Sequence, residues 1–328
     1  MLDFNVKTII PWVILTLLTA YVSVLSYYAS NRTAPDPAIN FYSKSKVEIT
    51  LHGADTSDVR ALGEFNNIIE GDQQQINAIA IDSNRWELTF EINSPRPARI
   101  YLNDLPLEVF LVQDSMLRVD GFYKKSQLDT VRYGGLPSGI CRYYASKYQR
   151  FRRNQLAYFR NTRFEDNPIR HARLLDSLSR HELAFLLEQA TPNKLPDWFI
   201  AFEKNEILFL KAYLKLTNAP LEEPYAGYYD QIPAQDEGAV FSYSYYLYLR
   251  TLVSRITGKG AGVSQTIAVA DSLLEGETRD VFITRSLLTA WGKGDQTTVN
   301  ELFKQYGSTF SKKKYARFMR MKMEEVEG

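Results

Sequence analysis

The sequence predicts an α+β protein with an N-terminal transmembrane or signal helix, an antiparallel β-sandwich-like domain and then an all-helical α-hairpin array. Three observations predict this order. Residues 8–29 form an apolar segment without a charge. Between residues 46 and 120, apolar and polar residues alternate with the period of two that is typical of strands. From about Ile140 onward, apolar residues recur at helical spacing instead.

The apolar segment predicts that the chain is attached to a membrane. As a helix rising about 1.5 Å per residue it would reach roughly 33 Å, which is enough to cross the hydrocarbon core of a bilayer. Residues 1–30 are therefore expected to be a membrane anchor, with a cleaved signal peptide and a buried core helix as alternatives. The proline-containing residues 31–45 are typical of a tether. With the short N-terminus inside, the anchor and the signal peptide both place the body outside the cytoplasm.

Residues 46–133 are predicted to form the β domain. Val47, Ile49 and Leu51 alternate with polar residues, and Trp86, Leu88, Phe90 and Ile92 do so again. Six or seven short strands in about 75 residues favour an antiparallel sandwich or barrel. The alternation ends near Asp120, and the glycine-rich residues 134–139 predict a flexible break with few contacts across it.

Residues 140–328 are predicted to form the helical domain. Proline and glycine residues divide this region into short helical segments, and closely spaced helices of this kind pair antiparallel. The predicted helices are 168–190, 197–217, 242–257, 264–274, 278–291, 297–306 and 312–327. Residues 218–239, with three prolines, are expected to form a long loop.

Composition excludes several classes of function. The net charge of +1 argues against a general affinity for polyanions. Cys141 is the only cysteine, so an intrachain disulfide, a CxxC redox pair and a cysteine-rich zinc site are excluded. We interpret Cys141 as a small buried residue, with a reactive or intermolecular thiol as the alternative.

Short motifs do not predict a catalytic, cofactor or metal site. His181-Glu182 begins like a zinc-protease motif, but Phe185 stands where the second histidine is required. Residues 43–46 fit the SxxK pattern within the tether, and residues 258–262 are typical of a helix stop. We expect no enzyme activity from this chain.

A basic stretch interleaved with aromatic residues lies between Cys141 and Phe164, and it includes Lys147 and six arginines. It predicts a docking surface for an acidic envelope protein or an anionic lipid surface, formed by Arg150, Arg152, Arg153 and Arg160. The alternative is a solvated basic helix face. Nucleic acid is not expected as a partner, because the body is predicted to be extracytoplasmic.

The order of segments resembles the membrane-proximal half of the TlpA-like thioredoxin-family proteins of Gram-negative envelopes. The resemblance rests on IAIDSNRWELTFEI at 79–92 and on residues 100–120 in the β region. In the helical region it rests on residues 232–249 and 270–327. Members of that family with this layout carry their CxxC in a C-terminal thioredoxin domain, which this sequence lacks. The resemblance implies an envelope location and an architecture, and it carries no catalytic residue onto this chain.

These observations predict a non-catalytic binding or scaffold module, anchored at the inner membrane with its body in the periplasm. The alternative is the accessory N-terminal half of a TlpA-like thiol-disulfide oxidoreductase whose thioredoxin domain lies beyond Gly328. A hydrolase with an unrecognised site is a further alternative.

Overall fold

Two β-sheets followed by helices make up the described part of the chain. The computed structural model describes residues 38–53, 60–103, 105–124, 127–151, 168–218, 232–258 and 260–327. Its strands are β1 Lys44–His52, β2 Ala61–Asn67, β3 Gly71–Asn77, β4 Ile79–Asp82, β5 Arg85–Glu91, β6 Arg96–Leu102, β7 Leu105–Leu111, β8 Ser115–Lys124 and β9 Gln127–Gly135.

One sheet is mixed and the other is antiparallel. The five-stranded sheet has the order β4-β5-β1-β8-β9, and the four-stranded sheet has the order β3-β2-β6-β7. Strand β1 pairs antiparallel with β5 but parallel with β8, so the prediction of an antiparallel domain is wrong for this sheet. Alternation reports which side chains are buried, and it carries no information on the direction of the neighbouring strand.

The faces predicted by alternation are confirmed. Val47, Ile49 and Leu51 are buried on β1, and Leu88 and Phe90 are buried on β5. The two sheets meet where the ring of Phe65 on β2 packs edge-on against the ring of Phe90, with 5.6 Å between centroids. Gly63, also on β2, permits this approach, because a Cβ there would lie 2.4 Å from a ring carbon of Phe90.

Strand structure continues beyond the predicted end near Asp120. Strand β8 runs on to Lys124, and β9 adds a further edge strand that ends at Gly135. At the other edge of this sheet, β4 is a four-residue strand whose Ile79 and Ile81 are exposed. The apolar pattern of residues 76–81 therefore belongs partly to a solvent-facing edge.

The helices begin and end close to the predicted positions. They are α1 Ser138–Phe151, α2 Pro168–Ala190, α3 Asp197–Asn218, α4 Tyr243–Thr257, α5 Val263–Leu273, α6 Gly276–Gly292, α7 Gln296–Tyr306 and α8 Lys313–Glu327, with a 3₁₀ turn at Glu237–Ala239. Neighbouring helices in the chain pack on one another, most extensively α2 with α3 and α3 with α4. Within the described ranges no helix is long and apolar enough to cross a membrane. The predicted anchor, residues 8–29, lies outside the described residues.

The turn between β2 and β3 is inserted into the helical core. Ile68 and Ile69 are buried, and they belong to one apolar cluster with Val281 and Leu287 of α6 and Met319 of α8. A β-turn side chain is usually solvated, so this insertion couples the two regions directly.

Helix α1 also packs on the β region. The ring of Tyr144 stacks on that of Phe110 of β7 at 5.8 Å, and the backbone N–H of Phe110 donates a hydrogen bond to Cys141 Sγ over 3.4 Å. Only Leu136 and Pro137 separate β9 from α1. The expectation of few contacts across residues 134–139 is therefore wrong, because glycine content reports local conformational freedom rather than what packs across it.

The inserted turn gives a stability prediction. Ile69→Ala removes buried methylene groups and leaves a cavity in the helical core, so it should lower the free energy of unfolding by about 2–5 kcal/mol. Urea denaturation measures the loss. The matched control is Ile79→Ala, whose side chain is 71% exposed and whose effect should stay within about 0.5 kcal/mol. Equal effects of the two variants would contradict the insertion.

Candidate functional site

The predicted docking surface has one member in the described part of the chain. Arg150 lies in the last turn of α1, and its side chain is exposed. Arg152, Arg153 and Arg160 lie outside the described residues. The docking surface as a whole therefore stays a prediction.

Helix α2 carries further exposed cations that the sequence analysis missed. Arg173 and Arg180 are both exposed, and their separation of seven residues, nearly two helical turns, places them on one side of the helix. The end of α1 lies against α2, because the rings of Phe151 and Phe185 are 5.4 Å apart. We call Arg150, Arg173 and Arg180 the α1–α2 basic surface. Their helical spacing was the signal that could have found the α2 members.

Lys147 does not belong to this surface, although it lies within the basic stretch of the sequence. Its side chain is buried, and its Nζ lies 2.6 Å from Glu203 Oε1 and 3.5 Å from Glu182 Oε2. Glu182 is on α2 and Glu203 is on α3. The charge that sequence reading placed among exposed cations instead joins three helices.

The buried carboxylate of Glu203 receives two further hydrogen bonds. Tyr143 donates its hydroxyl to Oε1 over 3.1 Å, and Tyr144 donates to Oε2 over 2.7 Å. Both tyrosines follow Ser138 on α1 within two turns of helix. The three donors from α1 satisfy both oxygens of a carboxylate on α3, which is the condition under which a buried charge is tolerated.

Burial and charge act against each other at Lys147. Burial lowers the pKa of Lys147, but the carboxylates of Glu203 and Glu182 outweigh it and raise the pKa well above the ordinary value of 10.5. Burial and the nearby Glu203 both raise the pKa of Tyr143 and Tyr144. At neutral pH the lysine is charged and both phenols keep their protons. Each of these groups is thus paired inside the protein with a partner on another helix.

This network predicts a large stability effect. Lys147→Met leaves the buried carboxylate of Glu203 without its cation and should lower the free energy of unfolding by about 3–5 kcal/mol. Lys147→Met combined with Glu203→Gln should recover part of the lost free energy of unfolding, because the buried carboxylate that lacked a cation is removed. Lys204→Met on the exposed side of α3 is the control, and it should change stability by less than about 0.5 kcal/mol.

The same variants test the sign of the pKa shift. A lysine whose pKa is raised in the folded state contributes its full stability below pH 10.5 and loses it as the pH rises through the folded pKa. The free energy of unfolding of the wild type should therefore exceed that of Lys147→Met by a constant amount near neutral pH. This excess should become smaller above pH 10.5. A difference that grows with pH would contradict the assignment.

Cys141 is buried between α1 and β7, as interpreted from the sequence. Burial raises the pKa of its thiol to about 12, although the N–H of Phe110 and the charge of Arg142 act in the opposite direction. The thiolate is the reactive form of cysteine, and at neutral pH it is nearly absent here.

The thiol should accordingly be inert in the folded protein. We expect dithionitrobenzoate near neutral pH to label native Cys141 at least about 100-fold more slowly than the same chain in denaturant. Full labelling in denaturant, at one thiol per chain, is the control. Rapid labelling of the native protein would instead support a reactive thiol.

A small pocket lies where the β region meets the helices. It encloses about 320 Å³, including open solvent, and is lined by Asn66, Ile68, Arg96, Pro97, Phe202, Glu206, Phe241 and Tyr243. Arg96 is buried, and it donates to the carbonyl of Ser94 over 3.0 Å, to Asn93 Oδ1 over 2.6 Å and to the carbonyl of Asn66. Its donors are thus directed at the loops beside it.

Near this pocket, Arg96 and Arg285 donate to backbone carbonyls of residues 66–68, whereas Glu206 accepts a hydrogen bond from Ser244. Burial, followed by the like charge of Arg285, lowers the pKa of Arg96 to about 9, so the guanidinium stays charged at neutral pH. Burial raises the pKa of Glu206, while its hydrogen bonds with Ser244 and Ser242 oppose the rise. We assign this cluster to joining the two regions. Sequence analysis missed it because its members are far apart in the chain.

The three histidines lie in different environments. His52 is exposed, stacks on Phe122 and lies 3.4 Å from Asp120, whereas His171 is buried in α2. His181 is exposed while the adjacent Glu182 is buried against Lys147, so the two do not face one site. In the described ranges, no group of histidine, cysteine and acidic side chains could hold a metal ion.

Comparisons with known proteins give no family. No protein-family model matches the chain, and no curated protein matches it. A crystal structure of a candidate cell adhesion protein from Bacteroides ovatus ATCC 8483 matches part of the chain with 8% identity and a TM-score of 0.20. The match covers 28% of this chain and 43% of that one, so the chain spans less than half of that protein. A likeness at this TM-score does not establish a shared fold.

Proposed function

We propose that this protein is a non-catalytic, extracytoplasmic scaffold module of the cell envelope, anchored at the inner membrane, that binds an acidic protein through its α1–α2 basic surface. The observation that carries the proposal is the exposure of Arg150, Arg173 and Arg180 on two helices in contact, on both sides of the arginine-rich residues 152–167. Clustered exposed cations attract anionic partners over a Debye length of about 10 Å or less.

Exposed aromatic and apolar side chains on the same two helices favour a protein over a lipid surface. Tyr148, Leu174 and Leu187 are exposed by 38%, 41% and 58% on the same two helices. Arginine and tyrosine are enriched at protein–protein interfaces, and the exposed leucines add apolar contact area. The complementary partner would present carboxylates around an apolar patch.

The interior suits a scaffold. Lys147 and Arg96 are buried charges, and the contacts described above direct both at neighbouring elements of the fold. The inserted β2–β3 turn joins the β region to the last helices. A body joined in this way would keep its exposed side chains in fixed positions relative to one another for a bound partner.

The membrane attachment and the periplasmic location rest on the apolar residues 8–29 and on the resemblance to TlpA-like proteins. Both stay predictions, as does the alternative of an accessory half of a thiol-disulfide oxidoreductase. The buried Cys141, with its raised pKa, gives that alternative no redox centre within the described residues.

Site-directed cross-linking in the native membrane tests the proposal. A photoreactive amino acid at exposed Ala184, which continues the helical face of Arg173 and Arg180, should form an adduct with a protein. Reversing Arg150, Arg173 and Arg180 to Glu should abolish the adduct, because each attractive contact becomes repulsive.

The matched control reverses three other exposed lysines, Lys204, Lys293 and Lys304, and should leave the adduct unchanged. Both triple variants should keep the wild-type melting temperature, since exposed charges contribute little to folding. A lipid adduct, or a protein adduct that survives the reversal of the three arginines, would overturn the proposed partner.

A further inference from the structure

The last helix exposes a second group of cations. Lys313, Arg317 and Arg320 are exposed on α8, and their spacing of four and three residues places them along one face. Lys312 is exposed immediately before the helix. We call these four residues the α8 basic stripe. Glu324 is the acidic residue on the same face, so the face carries a net charge of +3.

The other lysines of α8 are paired within the protein. Lys314 Nζ lies 2.5 Å from Glu277 Oε1 and donates to the carbonyl of Ile39 over 3.0 Å. Lys322 Nζ lies 3.0 Å from Glu70 Oε1. Among the described residues, no acidic side chain lies within ion-pair distance of the stripe. The helix therefore separates its cations into a structural set and an exposed set.

The stripe lies beside the point where the N-terminal segment joins the body. The ring of Phe41 stacks on that of Phe318 at 4.0 Å, and the hydroxyl of Tyr42 donates to Met321 Sδ over 3.6 Å. With the hydrogen bond from Lys314 to Ile39, these contacts fix residues 39–42 along α8. On a helix with 3.6 residues per turn, Met321 lies about a fifth of a turn and Phe318 more than a third of a turn from the centre of the stripe.

Chain length limits how far the stripe can be from a membrane. Nine residues, 30–38, separate the apolar run from Ile39. Fully extended they span at most about 32 Å, and a flexible chain of this length averages roughly 17 Å between its ends. A bilayer that holds residues 8–29 would thus keep α8 near its surface at high effective concentration.

We propose that the α8 basic stripe rests on an anionic lipid bilayer surface, an inference that depends on the proposed membrane attachment. In this proposal α8 contacts lipid, whereas α1 and α2 contact the protein partner. A lipid surface suits the stripe because, among the described residues, no large exposed apolar side chain belongs to α8, and headgroup attraction is electrostatic.

Lysine modification in nanodiscs tests the contact. The full-length chain is reconstituted in phosphatidylcholine discs with or without about 30 mol% phosphatidylglycerol, and acetylation of Lys312 and Lys313 is followed by mass spectrometry. We expect several-fold slower acetylation in the anionic discs, with exposed Lys204 as an unchanged internal reference. Salt at about 0.5 M should remove the protection, because it shortens the Debye length to roughly 4 Å.

Charge reversal supplies the matched control. Arg317→Glu with Arg320→Glu should abolish the protection of both lysines, and Lys204→Glu with Lys304→Glu should not. Equal acetylation in neutral and anionic discs, or protection that survives the stripe reversal, would overturn the inference.

Attachment is measured separately. Retention of the chain in neutral discs at high salt supports the anchor, and its loss would contradict the anchor. If the anchor is contradicted, phosphatidylglycerol vesicles are added to the chain and acetylation of Lys312 and Lys313 is measured again. Slower acetylation would still support lipid binding by the stripe, and unchanged acetylation would overturn it.

Discussion

Burial of the β2–β3 turn inside the helical core constrains the rest of the structure. Asn67 and Ile68 are buried, and a buried backbone carbonyl needs a hydrogen-bond partner. Arg285 of α6 meets this need by donating to the carbonyls of Asn67 and Ile68 over 2.8 and 2.9 Å, and its guanidinium lies 4.1 Å from the ring centroid of Tyr246. The sheets and the helices are therefore joined by both apolar and polar contacts.

The distribution of cations follows from the same rule. Lys147, Arg96 and Arg285 are buried, and each donates to a carboxylate, an amide or a backbone carbonyl from another element. A buried charge without such partners would cost several kcal/mol. The cations left at the surface include the α1–α2 basic surface and the α8 basic stripe, together with others such as Lys204 and Lys304. We propose that the first of these surfaces contacts a protein and the second a membrane.

Much of the local structure could be predicted from the sequence. Residues such as Asp197 and Gly258 indicate where helices begin and end. The alternation of Val47, Ile49 and Leu51 with polar residues predicts the buried face of β1. These signals succeed because they depend on neighbours within a few residues. Arg150 was identified in the same way, as one cation of a basic run.

The sequence by itself determined the order of strands and helices, the single cysteine and the location of the basic run. The tertiary structure decided that β1 and β8 are parallel, that Lys147 is interior, and that the β2–β3 turn enters the helical core. Strand direction, burial of a cation and insertion of a turn all depend on partners distant in the chain. Lys147 and Arg150 are both cations of one basic stretch in the sequence. In the tertiary structure Lys147 is buried and bonded to Glu203 of α3, whereas Arg150 is exposed.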